Sequence, residues 1–544
     1  MGSSVAEAVG SLLADLGVGH AFGVVGSGNF VVTNALRRHG VPFLAARHEG
    51  GAAAMADGWS RLADLPGVLT VHQGCGLTNA MTGIAEAAKS RTPMLVLAAD
   101  TAGSAVNSNF RIDQDGLVAS VGAVPERVHG AASLADDVIR AYRTAVHGHR
   151  TVVLNLPLDV QTEQMAADPS APSLLTPTAV RPAGEAVEEL AGVLTAARRP
   201  VFVAGRGARH AGPEIAAVAR RCGALLATSA VANGLFAGDE FDCGISGGFA
   251  SPLVAELITD ADLIIGWGCA LNMWTMRHGA LIGPATTVVQ IDDDPAAIGR
   301  HRSVDHGVVG DCRATAADLL AALPDHREGY RTAAVSRRLA ERRWWNDTST
   351  DDLGTADRID PRQFSAALER ILPAERVVAV DSGNFMGYPS AYLRVPDERG
   401  FCFTQAFQSV GLGLGSGIGA ALSQPDRLPV IATGDGGFHM AVSELETAVR
   451  LGRPMLIAVY NDAAYGAEVH HFGEAADLAA VTFPDTDIAA VARGFGATGT
   501  TVRRPDDLSP IGRWTEHPDG VLVIDAKIVS DGGSWWLAEA FRGH

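Results

Sequence analysis

The stretch from Leu428 to Gly466 constrains the fold most, because it reads strand, glycine-rich turn, helix, strand within forty residues. Leu428 to Thr433 is a short apolar run with β-branched Val430 and Ile431 that ends at glycine, the pattern of a buried parallel strand. Pro429 is tolerated because it falls in the strand's first residues. From Met440 to Leu451, Ala441, Leu445, Ala448 and Val449 share one side at helical spacing, which predicts an amphipathic helix closed by Gly452 and Pro454. Met455 to Tyr460 is a second apolar strand. A βαβ unit of this kind sets Asp435 and Asp462 at the carboxyl ends of neighbouring strands, the edge where open α/β sheets bind ligands. Gly434, Gly436 and Gly437 let the backbone approach phosphate, and the following helix N-terminus offers it free N–H groups. Two carboxylates beside a diphosphate would repel it unless a hard cation such as Mg2+ or Ca2+ lay between them. Taken alone, Gly-Asp-Gly also reads as an ordinary turn.

Strand and helix patterns alternate along the whole chain. The 544 residues suffice for two to four domains, and the breaks fall where composition changes. Residues 166–185, rich in Pro, Ala and Thr, read as a linker; residues 325–358, charged and bearing Trp344-Trp345, read as a second connection, part helical and docked through its aromatics. Three units result: 1–165, 186–324 and 359–544. The expected fold class is α/β, with three doubly wound parallel-sheet domains. The middle unit shows three strand-to-loop transitions, at Pro200–Gly207, Ala261–Gly268 and Val288–Pro295. A nicotinamide-dinucleotide fingerprint is excluded: Gly205-x-Gly207 is followed by His210 where the third glycine belongs, and glycines alternate at every second position from Gly411 to Gly419.

With 47% hydrophobic and 19% charged residues the chain is globular, and a formal net charge of −18 argues against nucleic acid or an anionic membrane as a partner. Cys75, Cys222, Cys243, Cys269, Cys312 and Cys402 are scattered without C-x-x-C spacing, as expected of reduced, mostly buried thiols. No signal-peptide pattern and no membrane-length apolar run is seen, so a cytoplasmic location is expected.

The interval from Gly434 to Asp462, continued by Tyr460-Asn461-Asp462-Ala463-Ala464-Tyr465-Gly466, resembles the thiamine-diphosphate (ThDP) signature. The whole chain resembles the acetolactate synthase, pyruvate oxidase and benzoylformate decarboxylase superfamily. The resemblance makes 1–165 the pyrimidine-binding domain, 186–324 the central Rossmann-like domain and 359–544 the diphosphate-binding domain. It implies that Asp435, Asp462 and the backbone carbonyl of Ala464 hold Mg2+, with Asp462 standing where the family usually has Asn. Gly434, Gly436, Gly437 and Tyr465 would lie at the cofactor, as would Gly383 and Asn384 in the loop Asp381–Asn384. Val410 aligns with the bulkier residue that wedges the cofactor into its bent form.

In the first unit, Glu49 of Arg47–Gly58 sits between a strand end and an Ala-rich helix, where a carboxylate also favours the helix dipole. By resemblance it activates the cofactor: bonded to N1′ of the aminopyrimidine it favours the 4′-imino tautomer, which removes the thiazolium C2 proton. In the family this residue reaches the cofactor of a neighbouring subunit, which implies a homodimer or a dimer of dimers with active sites at the interface. The loop Val71–Asn79 places His72 two residues before Gly74, with Cys75 where acetolactate synthases have Pro and with Asn79 as a cofactor neighbour. This pattern resembles benzoylformate decarboxylase, in which a His here and a Ser after the first strand, here Gly26-Ser27, handle substrate protons. Glu468 matches the position of a catalytic Glu in pyruvate decarboxylases. His470 and His471, about 100° apart on a helix, cannot both face one site.

The resemblance therefore implies decarboxylation of a 2-oxo acid and transfer of the resulting acyl carbanion to a carbonyl acceptor, as in acetolactate synthase. A simple decarboxylase of benzoylformate decarboxylase type is the alternative. An inactive ThDP-binding regulatory homologue is a third class, disfavoured by the presence of Glu49 and Asp435. FAD binding in the central unit is an open expectation: Gly205–Arg209 is able to meet a phosphate, whereas Gly268–Asn272 lacks the Arg common in flavin-binding relatives. Trp535 and Trp536 are candidates to cover the substrate pocket.

Overall fold

The computed structural model describes residues 2–63, 65–167, 169–173, 177–473, 475–530 and 536–537. Its strands form three six-stranded sheets, all of them parallel. The first contains β1 (His20–Gly23), β2 (Phe43–Ala45), β3 (Gly67–Val71), β4 (Met94–Asp100), β5 (Val124–Arg127) and β6 (Thr151–Pro157), in the order β2-β1-β3-β4-β6-β5. The second contains β7 (Pro200–Ala204), β8 (Leu225–Thr228), β9 (Asp242–Ile245), β10 (Leu263–Trp267), β11 (Thr287–Asp292) and β12 (His306–Val309), in the order β12-β11-β10-β7-β8-β9. The third contains β13 (Arg376–Val380), β14 (Phe401–Phe403), β15 (Leu428–Gly434), β16 (Met455–Asn461), β17 (Thr498–Val502) and β18 (Val521–Lys527), in the order β14-β13-β15-β16-β18-β17.

Helices cover both faces of each sheet, so the central strands are buried throughout and read as continuous apolar runs rather than alternating ones. The strand order reverses between β1 and β3 in the first sheet, β7 and β10 in the second, and β13 and β15 in the third. At each reversal the loops leaving the strand ends diverge and open a crevice. The first and third units pack together through the helices Glu49–Leu62 and Gly413–Ser423, which belong to one continuous buried cluster.

The helix expected over Met440–Leu451 is divided. Asp435–Met440 is a short helix that starts at the end of β15, and a second runs from Glu444 to Leu451. The break follows from a tertiary contact that periodicity does not carry: the buried carboxylate of Glu444 accepts from the backbone N–H groups of Arg47 at 3.1 Å and His48 at 2.9 Å. Within the connection after the second sheet, Ala333–Arg342 is helical. The Trp345 indole N–H there donates to the carbonyl of Phe249 at 2.9 Å. All six cysteines are free and five are buried. Among the described residues no helix is long and apolar enough to cross a membrane.

Candidate active site

The third sheet places its candidates at one edge. The register pairs Gly434 with Tyr460 and Val380 with Ala432, so Asp381, Asp435 and Asp462 emerge from three adjacent strand ends. The carboxyl of Asp462 lies against that of Asp435; Asp435 is buried and Asp462 half-buried. Burial first, then the nearness of the other carboxyl, pushes Asp435 well above the usual carboxylate range; burial does the same to Asp462, opposed by the N–H of Ala464 and by Arg358. Two acids held this close have the chemistry to share a hard cation. Ala463, between Asp462 and Ala464, has φ 60°, a left-handed conformation unusual for a residue with a side chain. The loop is braced in that shape from outside, by Tyr465 N–H to the Val481 carbonyl at 2.8 Å and Phe483 N–H to the Ala463 carbonyl at 2.8 Å.

The glycines beside the pair are required by space. A Cβ on Gly437 would stand 2.4 Å from Asp381 Oδ2 and 3.3 Å from Val410 Cγ1, and one on Gly436 would meet the Tyr465 ring at 2.8 Å. Val410 therefore lies over the Gly436-Gly437 turn. Asn384 is buried beside Gly466 and Asp462, and the φ of 142° at Gly383 lets the chain turn into that position. Behind Asn384, the Trp536 indole N–H donates to its carbonyl at 3.0 Å, and the ring packs edge-on against Tyr388. Trp536 is thus a buried support of this loop rather than a cover over a pocket, and Trp535 lies outside the described residues. Glu468 is half-buried on the helix Gly466–Phe472, one turn beyond Tyr465; of the two histidines, His470 is half-buried and His471 exposed.

The first sheet gathers the proton-handling candidates at its own crevice. His72 follows β3, and its ring lies against the loop after β1. A Cβ on Gly26 would meet His72 Cδ2 at 2.9 Å, and one on Gly28 would meet its Nδ1 at 2.9 Å. Ser27 is exposed between them. Asn29 holds this loop in place, accepting from Gly26 N–H at 2.8 Å and donating to Thr70 Oγ1 at 2.9 Å. His72 Nδ1 is buried with no hydrogen-bond partner, and the Phe110 ring stands 5.1 Å from the imidazole. Glu49 is the first residue of its helix, behind His48 as N-cap, and accepts from Asn79 Nδ2 at 3.0 Å. Gly76 joins the two halves of the cluster, since a Cβ there would lie 3.1 Å from His72 Cβ and 3.5 Å from Glu49 Oε1.

The structure thus brings Gly26, Ser27, Glu49, His72 and Asn79 into one group. Gly383, Asn384, Val410, Gly434, Asp435, Gly436, Gly437, Asp462, Ala464, Tyr465 and Glu468 form another. Within one chain the groups are tied through Glu444, which reaches the backbone beside Glu49. Sequence reasoning missed the buried acid Glu444, and named Asp381 only as the start of a loop at the cofactor, without a role for its buried carboxyl. Asp381 accepts from Thr433 Oγ1 at 3.0 Å and Gly411 N–H at 3.1 Å, and burial pushes its carboxyl up to about 6. Its position directly after an apolar strand was the available signal.

Three family models cover this architecture. The N-terminal TPP-binding domain of thiamine pyrophosphate enzymes matches residues 3–117, the central domain 187–319 and the C-terminal TPP-binding domain 381–526. The probable 2-ketoarginine decarboxylase AruI of Pseudomonas aeruginosa is 30% identical over 96% of this chain and 93% of its own.

The chain belongs to the thiamine pyrophosphate enzyme family.

Two further relatives are similar over nearly their whole length. The putative thiamine pyrophosphate-containing protein YdaP of Bacillus subtilis is 25% identical over 96% of this chain and 91% of its own. The sulfoacetaldehyde acetyltransferase of Castellaniella defragrans is 27% identical over 91% and 87%. Membership makes this chain a ThDP-dependent enzyme, and the residues at the third crevice fit the cofactor: glycines where a Cβ would collide, and adjacent acids suited to a cation.

Proposed function

We propose that this enzyme decarboxylates a 2-oxo acid and delivers a proton to the product, and that Asp435, Asp462 and the Ala464 carbonyl are the groups that would hold Mg2+ for the cofactor. ThDP, when bound, would supply the electron sink that loss of CO2 from a 2-oxo acid requires. Gly434, Gly436 and Gly437 would present backbone to its diphosphate, Glu49 would hold a proton at its aminopyrimidine from a second copy of the chain, and Val410 would pack against it. The observation that carries the choice of protonation is His72: its buried, unpartnered Nδ1 sits against the Gly26–Gly28 loop with Ser27 beside it, an imidazole able to donate or accept a proton near neutral pH.

Carboligation, in which the acyl unit passes to a carbonyl acceptor as in acetolactate synthases, is the second reading. It is favoured by the acetyltransferase relative and by exposed Phe30 and Phe110 flanking the same loops, apolar surface able to admit an acceptor. Incubation with ThDP, Mg2+ and a panel of 2-oxo acids, with and without acceptor aldehydes, separates the two. Release of CO2 with an aldehyde as sole product supports the first, a lengthened hydroxyketone the second, and no CO2 from any donor contradicts both. His72→Ala is expected to slow aldehyde formation by about 10²-fold or more.

A further inference from the structure

The segment between β14 and the helix Gly413–Ser423 carries Val410, and its backbone is fastened at two points to buried carboxylates from different units. Glu86, on the helix Cys75–Lys89 of the first unit, accepts from the N–H of Ala406 at 3.1 Å and of Phe407 at 2.6 Å. Asp381, in the third unit, accepts from the N–H of Gly411 at 3.1 Å and of Leu412 at 3.2 Å. Between these anchors Gln408 has φ 61°, a conformation that disfavours any residue with a Cβ. The span 407–411 is held in a shape that its local preferences oppose, with Val410 at its crest over Gly437.

Glu86 itself is locked. Its Oε1 accepts from Arg61 Nη2 at 2.7 Å and from Ser90 Oγ at 3.2 Å, while Arg61 also donates to Asp57 Oδ2 at 2.9 Å and to the Phe403 carbonyl at 2.6 Å. Burial acts to raise Glu86, but the Arg61 guanidinium and the two backbone N–H groups outweigh it and hold the carboxyl below its ordinary range. The anion is therefore maintained, with acceptor capacity for both amides. A buried ion cluster of this kind is a poor source of net stability compared with apolar packing. What this one contributes is geometry: Arg61 grips the end of β14 while Glu86 grips Ala406 and Phe407 just beyond it.

We propose that Glu86, which contacts none of the candidate cofactor-binding residues, is a positioning residue for Val410, holding residues 407–411 taut against the Asp381 anchor so that the wedge stands over the diphosphate turn. The proposal rests on the ThDP reading of the third crevice. It assigns the first unit a second role at that crevice, made within the same chain and separate from that of Glu49.

The test uses the full-length protein with Glu86→Gln, which keeps the size but offers one oxygen acceptor and no charge. In cofactor-free protein, hydrogen–deuterium exchange of the 404–412 segment is expected to accelerate about tenfold or more, the scale of losing a charged hydrogen bond, while β15 and β16 stay protected. With ThDP and Mg2+ added, the dissociation constant is expected to rise, and deuterium exchange at the C2 position of bound cofactor to slow, each about tenfold. Because Glu86 acts through Val410, the double variant with Val410→Ala should slow C2 exchange no further than Val410→Ala alone. Glu86→Asp, which keeps the charge but withdraws the acceptor by one methylene, carries the same measurements if the Gln variant fails to fold. Unchanged exchange of 404–412, or faster segment exchange with unaltered cofactor affinity and C2 exchange, overturns the proposal. Failure of the wild type to bind ThDP would instead remove the underlying cofactor assignment, an outcome that the cofactor-free exchange data keep distinct.

Discussion

The crevices of the first and third sheets are built on one strand order, β2-β1-β3-β4-β6-β5 and β14-β13-β15-β16-β18-β17, yet their loops hold opposite kinds of chemistry. The third presents a glycine turn and a pair of adjacent carboxyls, groups suited to phosphate and a cation. The first presents His72, Ser27 and Glu49, groups able to move protons, on glycine-containing loops of its own. The middle sheet has a different order and a closed crevice: Gly207 N–H donates to the Gly268 carbonyl at 3.1 Å, and a Cβ on Gly205 would stand 2.2 Å from the same oxygen. Parallel-sheet topology provides three places for a ligand, and loop composition sets them apart: under the proposed function two complementary halves would be used, while backbone approaches closely across the third.

Substitutions that strike one half should separate the two roles. Asp435→Ala is expected to weaken ThDP binding in the presence of Mg2+ by about 100-fold or more, since removing even an outer partner of a metal site costs 10–100-fold. Glu49→Gln is expected to leave that binding within a few-fold of wild type while lowering turnover by about 10²–10⁴-fold. Titration calorimetry and steady-state assays read the two effects, and equal loss of binding in both variants would erase the division.

A smaller effect follows from pH. Desolvation raises Asp435 and Asp462 above the usual carboxylate range, Asp435 further through the neighbouring Asp462 carboxyl, and a cation binds only their ionised forms. Each folded-state pKa is raised, so in the metal-free protein this pair's contribution to stability is present at low pH and lost as pH rises through the raised values. Mg2+ reverses that trend by favouring the ionised pair. The Mg2+-dependent gain in melting temperature is therefore expected to shrink as pH falls from about 8 to about 5, and a gain that grows on acidification would contradict the assignment. The smallest effect compares two glycines. Gly437→Ala should reduce cofactor affinity through collision with Asp381, whereas Gly205→Ala should cost about 1–3 kcal/mol of stability by overpacking yet leave the cofactor affinity of the folded protein unchanged.

Much of the third crevice was legible because its signals are local. A β-branched run ending in glycine and two acids each directly after a strand fix the site edge with no knowledge of distant contacts. The single helix expected from Met440 was not so determined, because its break depends on Glu444 reaching Arg47 and His48 nearly four hundred residues away in sequence. Glu86 was illegible for the same reason: on its own helix it reads as a polar residue among alanines, and only the fold brings Ala406 and Phe407 to it. The proximity of His72 to the Ser27 loop lay between these cases. Strand order puts the loops after β1 and β3 side by side, whereas the contact of the ring with Gly26 and Gly28 is a matter of packing.

The central claim is that the two crevices serve one cofactor across two copies of the chain. It is tested most directly by joining two inactive variants. Glu49→Gln and Asp435→Ala chains carrying different affinity tags are co-expressed, and the hybrid is isolated through both tags. Each hybrid dimer then contains one site with neither defect and one with both. The account predicts that hybrids recover roughly half of the wild-type turnover per dimer, as a two-fold symmetric assembly with shared sites requires. Hybrids that remain as inactive as their parents would place Glu49 and Asp435 in the same chain's site and contradict it.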